Sequence, residues 1–189
     1  YIVIASSIIT SQDQLFVGTR PLGMGGAFIA VADDGNTITW NPAGLPRLRR
    51  KEFTSSYADL YAMDITHSYT GIVWPFGDRI AVGFDWANVG FDDQELSYSE
   101  NKLNFSIGYQ PFKLVSIGGT FKYLSRDMGL DGTSYGKSTG IGYDLGLLIS
   151  PHKKIRFGLG LYDLGGTNVT YKQNKVDEKL LGQAFKLGI

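Results

Sequence analysis

The chain has 189 residues, with 18 basic and 18 acidic side chains, 25 glycines and no cysteine. Zero net charge argues against a nucleic-acid binder, which needs a basic face, and the missing cysteine excludes disulfides, thiolate nucleophiles and Cys-based metal centres. Charged residues stand at 19%, below the usual level of about 25%, and aromatics at 13%, which fits a β protein whose surface does not meet water everywhere.

The chain opens on YIVIASSII. Residues 1–13 read as a signal-peptide remnant or N-terminal extension, with a terminal strand as the alternative because Ile, Val and Tyr favour strands. No stretch reaches the roughly 18–20 apolar residues that a spanning helix needs.

Residues 14–50 do not alternate. Gly23, Gly25 and Gly26 break any regular element, residues 28–32 suit one short helical turn, and Asn41-Pro42 favours a turn. The Gly23-Met24-Gly25-Gly26 run lacks the spacing and the strand–helix crossover of a dinucleotide site. Its glycines read as conformational permission for a tightly folded segment. Asp33-Asp34-Gly35-Asn36 lacks the alternating ligands and closing Glu of a calcium loop. Its carboxylates are expected to bond backbone or nearby Lys and Arg.

From residue 51 onward the period is two. Ile80, Val82, Phe84 and Trp86 oppose Ala81, Gly83 and Asp85, and Leu103, Phe105, Ile107 and Tyr109 oppose Asn104, Ser106 and Gly108. The pattern returns at 115–123, 141–149, 155–162 and 185–189, and less regularly at 52–61 and 65–74. Such alternation predicts about eight antiparallel strands with one apolar face, most 9–11 residues long. That is the length of a tilted strand crossing a bilayer. Tight turns are expected at 76–78, 111–113 and 151–153, and longer loops at 90–100, 125–138 and 165–178. Short turns at one end and long loops at the other are the pattern of an outer-membrane barrel. The second face carries Gly, Ser and Ala where a solvated face would carry Lys, Glu and Thr, so it is read as lumen and the apolar face as lipid-facing. Eight strands enclose an interior just filled by side chains, too small for residues 14–50 as well. The strands at 51–189 are therefore expected to be part of a larger barrel.

Gly23–Ala27, Ala32–Asp34 and Asn41–Gly44, followed by this strand pattern, resemble the N-terminal hatch and wall of the FadL/PorV superfamily of outer-membrane barrels. The short loop at 61–64 is closer in style to the PorV and PorV-like branch. The resemblance implies an antiparallel transmembrane barrel of about 14 strands with residues 14–50 as a hatch in its lumen. It also implies a Gram-negative outer membrane, with membrane lipids and lipopolysaccharide as partners. The function implied first is passive transport of hydrophobic small molecules. The alternative is a scaffold or shuttle subunit docking other proteins, as in type IX secretion. Met24, Phe28, Trp40, Asn41 and Pro42 are the candidate hatch and ligand contacts. Asp33, Asp34, Asp85, Lys122, Asp144 and Arg156 are expected to form a polar network in the lumen, where isolated charge is costly.

Enzyme chemistry is not expected. His67 and His152 are the only histidines, and neither has a nucleophile at a recognisable spacing. No cofactor and no metal site are expected. The acidic group Asp92, Asp93 and Glu95, with Asp131, reads as solvated loop charge, with a divalent ion or lipopolysaccharide bridge as the alternative. Trp74, Tyr109 and Tyr143 are expected in interfacial aromatic girdles. The predicted loops are polar with scattered Leu96, Tyr98, Met128, Leu130 and Tyr135, which tilts towards a docking role.

Overall fold

A computed structural model describes residues 5–7, 17–60, 64–93, 95–130, 133–152, 154–171, 177–181 and 184–189. Most of the apolar start, most of the short loop at 61–64, Asp131 and the Tyr135 side chain lie outside the described residues. The strands are β1 (Ala5–Ser7), β2 (Glu52–Leu60), β3 (Ile65–Phe76), β4 (Ile80–Asp92), β5 (Leu96–Phe112) and β6 (Val115–Leu130). After them come β7 (Thr133–His152), β8 (Ile155–Tyr162), β9 (Thr167–Tyr171), β10 (Asp177–Leu181) and β11 (Ala184–Gly188). All pair antiparallel in one sheet of order β1-β11-β8-β7-β6-β5-β4-β3-β2, with the β9–β10 hairpin on the far half of β7. Among the described residues the sheet is open, β1 and β2 each having one neighbour.

Eight of these strands are the eight that alternation predicts. The other three are β9 and β10, from a region expected to be loop, and β1, which forms the terminal-strand alternative over Ala5–Ser7. The remaining long loops are also corrected. β3 to β7 run 12, 13, 17, 16 and 20 residues, so segments 90–100 and 125–138 are mostly paired strand. Asn, Ser and Asp carry the same backbone donors and acceptors as Val, and matched side chains hold their ladder together. Glu100 pairs with Arg126 directly opposite, Asp127 with Lys137 at 2.9 Å, and Phe91 stacks on Tyr98 at 5.9 Å.

Alternation sorts the side chains cleanly. Phe53, Ile72, Phe84, Phe105, Phe121 and Tyr143 stand opposite one another in turn, a row across six strands on the outward face. Phe53 is 72% exposed and Phe105 and Tyr143 are 53% exposed. A contiguous apolar surface of this extent is rare on a soluble protein and natural against lipid. Trp74 and Tyr109 lie near the tight-turn end, Trp74 with the Lys51 ammonium 3.4 Å from its ring centroid. Tyr143 sits mid-strand in the Phe row, away from any girdle. No helix of the described residues is long and apolar enough to cross a membrane, which says nothing of strands.

Residues 17–50 cover the opposite face, called here the inner face. They form α1 (Thr19–Gly23), a run of turns, α2 (Thr37–Trp40) and a 3-10 helix (Pro42–Arg47). The expected turn at 28–32 is formed, with the Ala32 N–H donating to the Phe28 carbonyl at 2.9 Å. Gly25 and Gly26 occupy φ of +63° and +78°, the left-handed region that glycine enters freely, whereas Gly23 ends α1 without it.

Candidate functional site

The site is the junction between this inner segment and the wall. Its floor is a row of glycines, Gly108, Gly118, Gly146 and Gly160, placed side by side on β5, β6, β7 and β8. A Cβ on Gly118 would stand 2.3 Å from the Pro42 carbonyl carbon, and one on Gly108 2.5 Å from Pro46 Cδ. Glycine in a strand lets another backbone approach this closely. The 3-10 helix lies along the first three of these glycines, every residue from Pro42 to Pro46 being buried, while Gly160 leaves room for the Tyr162 side chain. Asn41 caps it, its side-chain oxygen accepting from the Ala43 N–H at 3.1 Å, and Pro42 follows where a missing N–H costs nothing. The Asn41 amide donates to the Ile29 carbonyl at 2.8 Å and reaches the wall at the Leu147 carbonyl, 3.4 Å away. Arg47 pins the other end, donating to the Ser116 and Ser150 hydroxyls at 3.2 and 2.6 Å.

Next to this, α2 drops Ile38 into the hollow left by Gly71 and Gly83. Its Thr39 hydroxyl donates to Asp85 Oδ2 at 2.7 Å. Asp85 is fully buried and also accepts from Asn104 at 2.7 Å and from the Tyr69 hydroxyl at 3.4 Å. Trp40 donates to the Val17 carbonyl at 2.9 Å, meets Phe28 edge-on at 6.3 Å, and its own carbonyl accepts from the Tyr162 hydroxyl. Phe28, Trp40, Tyr69, Leu148 and Tyr162 form one apolar cluster between segment and wall, with Met24 packed on its edge.

The predicted polar residues fall into three groups. Asp33 and Asp34 both take Arg20, at 2.6 and 2.7 Å; Asp34 also caps Asn36, and Arg156 lies 3.7 Å from Asp33. These carboxylates hold the Arg20 guanidinium above its ordinary pKa. Asp85 stands apart in the bonds described above. Lys122 and Asp144 meet at 2.8 Å, and Asp163 completes a buried triad with them. The sequence reading missed Asp163. It sits at φ +53°, where Asp is tolerated, in the break between β8 and β9, and its N–H donates to Asp144 at 2.9 Å. The run Asp163-Leu164-Gly165-Gly166 directly after an alternating strand is the signal that marks such a break.

His67 is buried on β3 and His152 is exposed at the end of β7. Among the described residues no three His, Asp or Glu side chains are placed to hold a metal ion.

The apolar residues expected to be scattered through loops are instead gathered. Register puts Leu96 opposite Leu130, Tyr98 opposite Met128, and Phe91 opposite Tyr98. All five share the parity of Lys102, Asn104 and Lys122, so they continue the inner face beyond the Glu100–Arg126 pair. Leu96, Met128 and Leu130 remain well exposed there. The outward side of the same hairpins is polar, with Asn88, Ser99 and Asn101 linked at 3.1–3.3 Å.

Together these features define an antiparallel β wall with an apolar outer surface and an N-terminal segment seated on a small-residue inner surface. No family model matches the chain, and no curated protein matches it by sequence. Among solved structures the fold is similar to that of the CymD monoaromatic hydrocarbon channel, with a TM-score of 0.62 and 18% identity. The likeness covers 92% of this chain and 61% of that channel, so the chain spans about three fifths of the channel's length. The likeness is one of fold, an all-β antiparallel barrel wall.

Proposed function

We propose that this chain is the hatch and part of the wall of an outer-membrane barrel that passes hydrophobic small molecules. The observation that carries the reading is the apolar patch of Leu96, Met128 and Leu130 on the inner face, exposed beyond the hatch beside the half-buried Tyr98. Apolar side chains that water can reach and lipid cannot are suited to capture an apolar solute. The Phe28, Trp40 and Tyr162 cluster between hatch and wall offers the next apolar surface inward, and the likeness to a hydrocarbon channel agrees in fold.

The test is uptake of a labelled monoaromatic hydrocarbon by bacterial cells producing the full-length protein. Met128→Asp with Leu130→Asp should lower uptake strongly while leaving stability within about 0.5 kcal/mol, since both side chains are exposed. Uptake no greater than in cells without the protein would overturn the reading.

A PorV-like docking role is the second reading, favoured by the polar outward side of the hairpins at Asn88, Asn101 and the Asp127–Lys137 pair. It predicts a defined polypeptide partner that is lost on Asp127→Lys and unaffected by Met128→Asp.

A further inference from the structure

The lipid-facing surface is not uniform. On β6 the outward position between Ile117 and Phe121 is Gly119, and the missing side chain opens a groove of about 570 Å³ across β5 to β8. Ile107, Ile117, Leu147, Leu159 and Leu161 form its sides, and its exposed surface is almost wholly apolar. A Cβ on Gly119 would meet Leu145 and the Asp144 carbonyl at 3.7 Å, an ordinary contact, so close packing of the wall does not require glycine there.

Charge at the tight-turn end completes the arrangement. The three turns that close β3–β4, β5–β6 and β7–β8 each present an exposed cation: Arg79, Lys113 and Lys154. No described carboxylate pairs with these three among the described residues. Lys113 and Lys154 close the two hairpins whose four strands line the groove. Gly119 lies six positions beyond Lys113. At about 3.4 Å per residue that is about 20 Å along the strand, or about 14 Å of depth at a tilt near 45°. Half of a hydrocarbon core is about 15 Å. The groove therefore ends near the midplane, and the cations stand at the headgroup level of the same leaflet.

We infer that this groove holds one phospholipid with an anionic headgroup from the leaflet at the tight-turn end. One acyl chain lies against Gly119, and the phosphate lies on Lys113 and Lys154. The cations select the headgroup and the apolar groove selects the tail. The inference stands whether or not a solute passes the hatch.

The test is native mass spectrometry of the full-length protein released from vesicles of equal phosphatidylglycerol and phosphatidylcholine. One retained phosphatidylglycerol is expected. Gly119→Leu should weaken its retention by about tenfold, the displacement of about two buried methylenes. Lys113→Gln with Lys154→Gln should abolish the preference between headgroups. Equal retention of both lipids by the unaltered protein would overturn the proposal, as would a second copy of the chain in place of lipid. Should Gly119→Leu fail to fold, phosphatidylglycerol carrying a photoreactive group midway along its acyl chain provides an independent arm. Cross-links within 107–119 and 145–161 support the site, and cross-links elsewhere refute it.

Discussion

Gly118 and Gly119 are adjacent on β6 and point to opposite faces, so the pair measures what the inner segment demands of the wall. Alanine at 118 puts a methyl 2.3 Å from the Pro42 carbonyl carbon and 2.5 Å from the Ala43 nitrogen. Both are backbone atoms, and neither can swing aside. Restoring a contact of about 3.7 Å requires the 3-10 helix to retreat by about 1.4 Å. Overpacking of this kind costs about 1–3 kcal/mol. The retreat also loosens the bonds that tie the helix to the wall, Arg47 to Ser116 and Ser150 and Asn41 to the Leu147 carbonyl, each contributing about 1 kcal/mol. Gly118→Ala is therefore expected to destabilise by about 3 kcal/mol or more. Gly119→Ala meets nothing closer than 3.7 Å and removes a flexible residue from a strand, a gain of about 0.5 kcal/mol. Urea unfolding of the full-length protein in detergent micelles, followed by tryptophan fluorescence, reads the difference as a shift in midpoint at constant slope. Midpoints for the two variants within about 0.5 kcal/mol of each other would refute the close approach of segment and wall.

Lys122→Met should cost about 3–5 kcal/mol by leaving Asp144 and Asp163 buried together without their cation. Adding Asp144→Asn and Asp163→Asn should recover most of that loss, which the same unfolding assay checks. Asn41→Ala deletes a cap and a buried donor at once and is expected to cost about 2 kcal/mol in the urea midpoint. Arg20→Gln breaks two ion pairs whose arginine side chain is 47% exposed, and should cost under about 1 kcal/mol. That small effect should shrink further when unfolding is repeated at high salt.

The strands were legible because each inner position holds a small or polar residue and each outer position a large apolar one, as in Phe84-Asp85-Trp86. Period two survives in a single chain without knowledge of neighbours. What lay beyond reach was register. Nothing local says that Gly108, Gly118, Gly146 and Gly160 form one row, or that Leu96 meets Leu130. Each fact depends on the hairpin turns that align whole strands. Strand ends were missed for a related reason. Asn88, Ser99 and Asn101 have poor strand propensity, yet their ladder is held by partners across the sheet. The short helices α1 and α2 carry no amphipathic period because their surroundings, not their own sequence, stabilise them. Asp163 went unnoticed because a left-handed residue inside a nearly continuous strand interrupts the pattern that reveals the rest.

On every strand of the glycine row, the residues next to glycine are large on at least one side: Ile107 and Tyr109, Ile117, Leu145 and Leu147, Leu159 and Leu161. A slip of one residue turns a strand's faces over and would bring such a side chain against residues 41–46 at Gly108, Gly118 and Gly146, and on β8 against the Ile29–Ala30 backbone at Gly158, where a methyl group has no space. The segment made first in the chain is thus a gauge for four strands made later. It seats when all four are aligned, and a misaligned wall shuts it out. Correct pairing and seating of the N-terminal segment become a single event, a form of proofreading written into the absence of side chains.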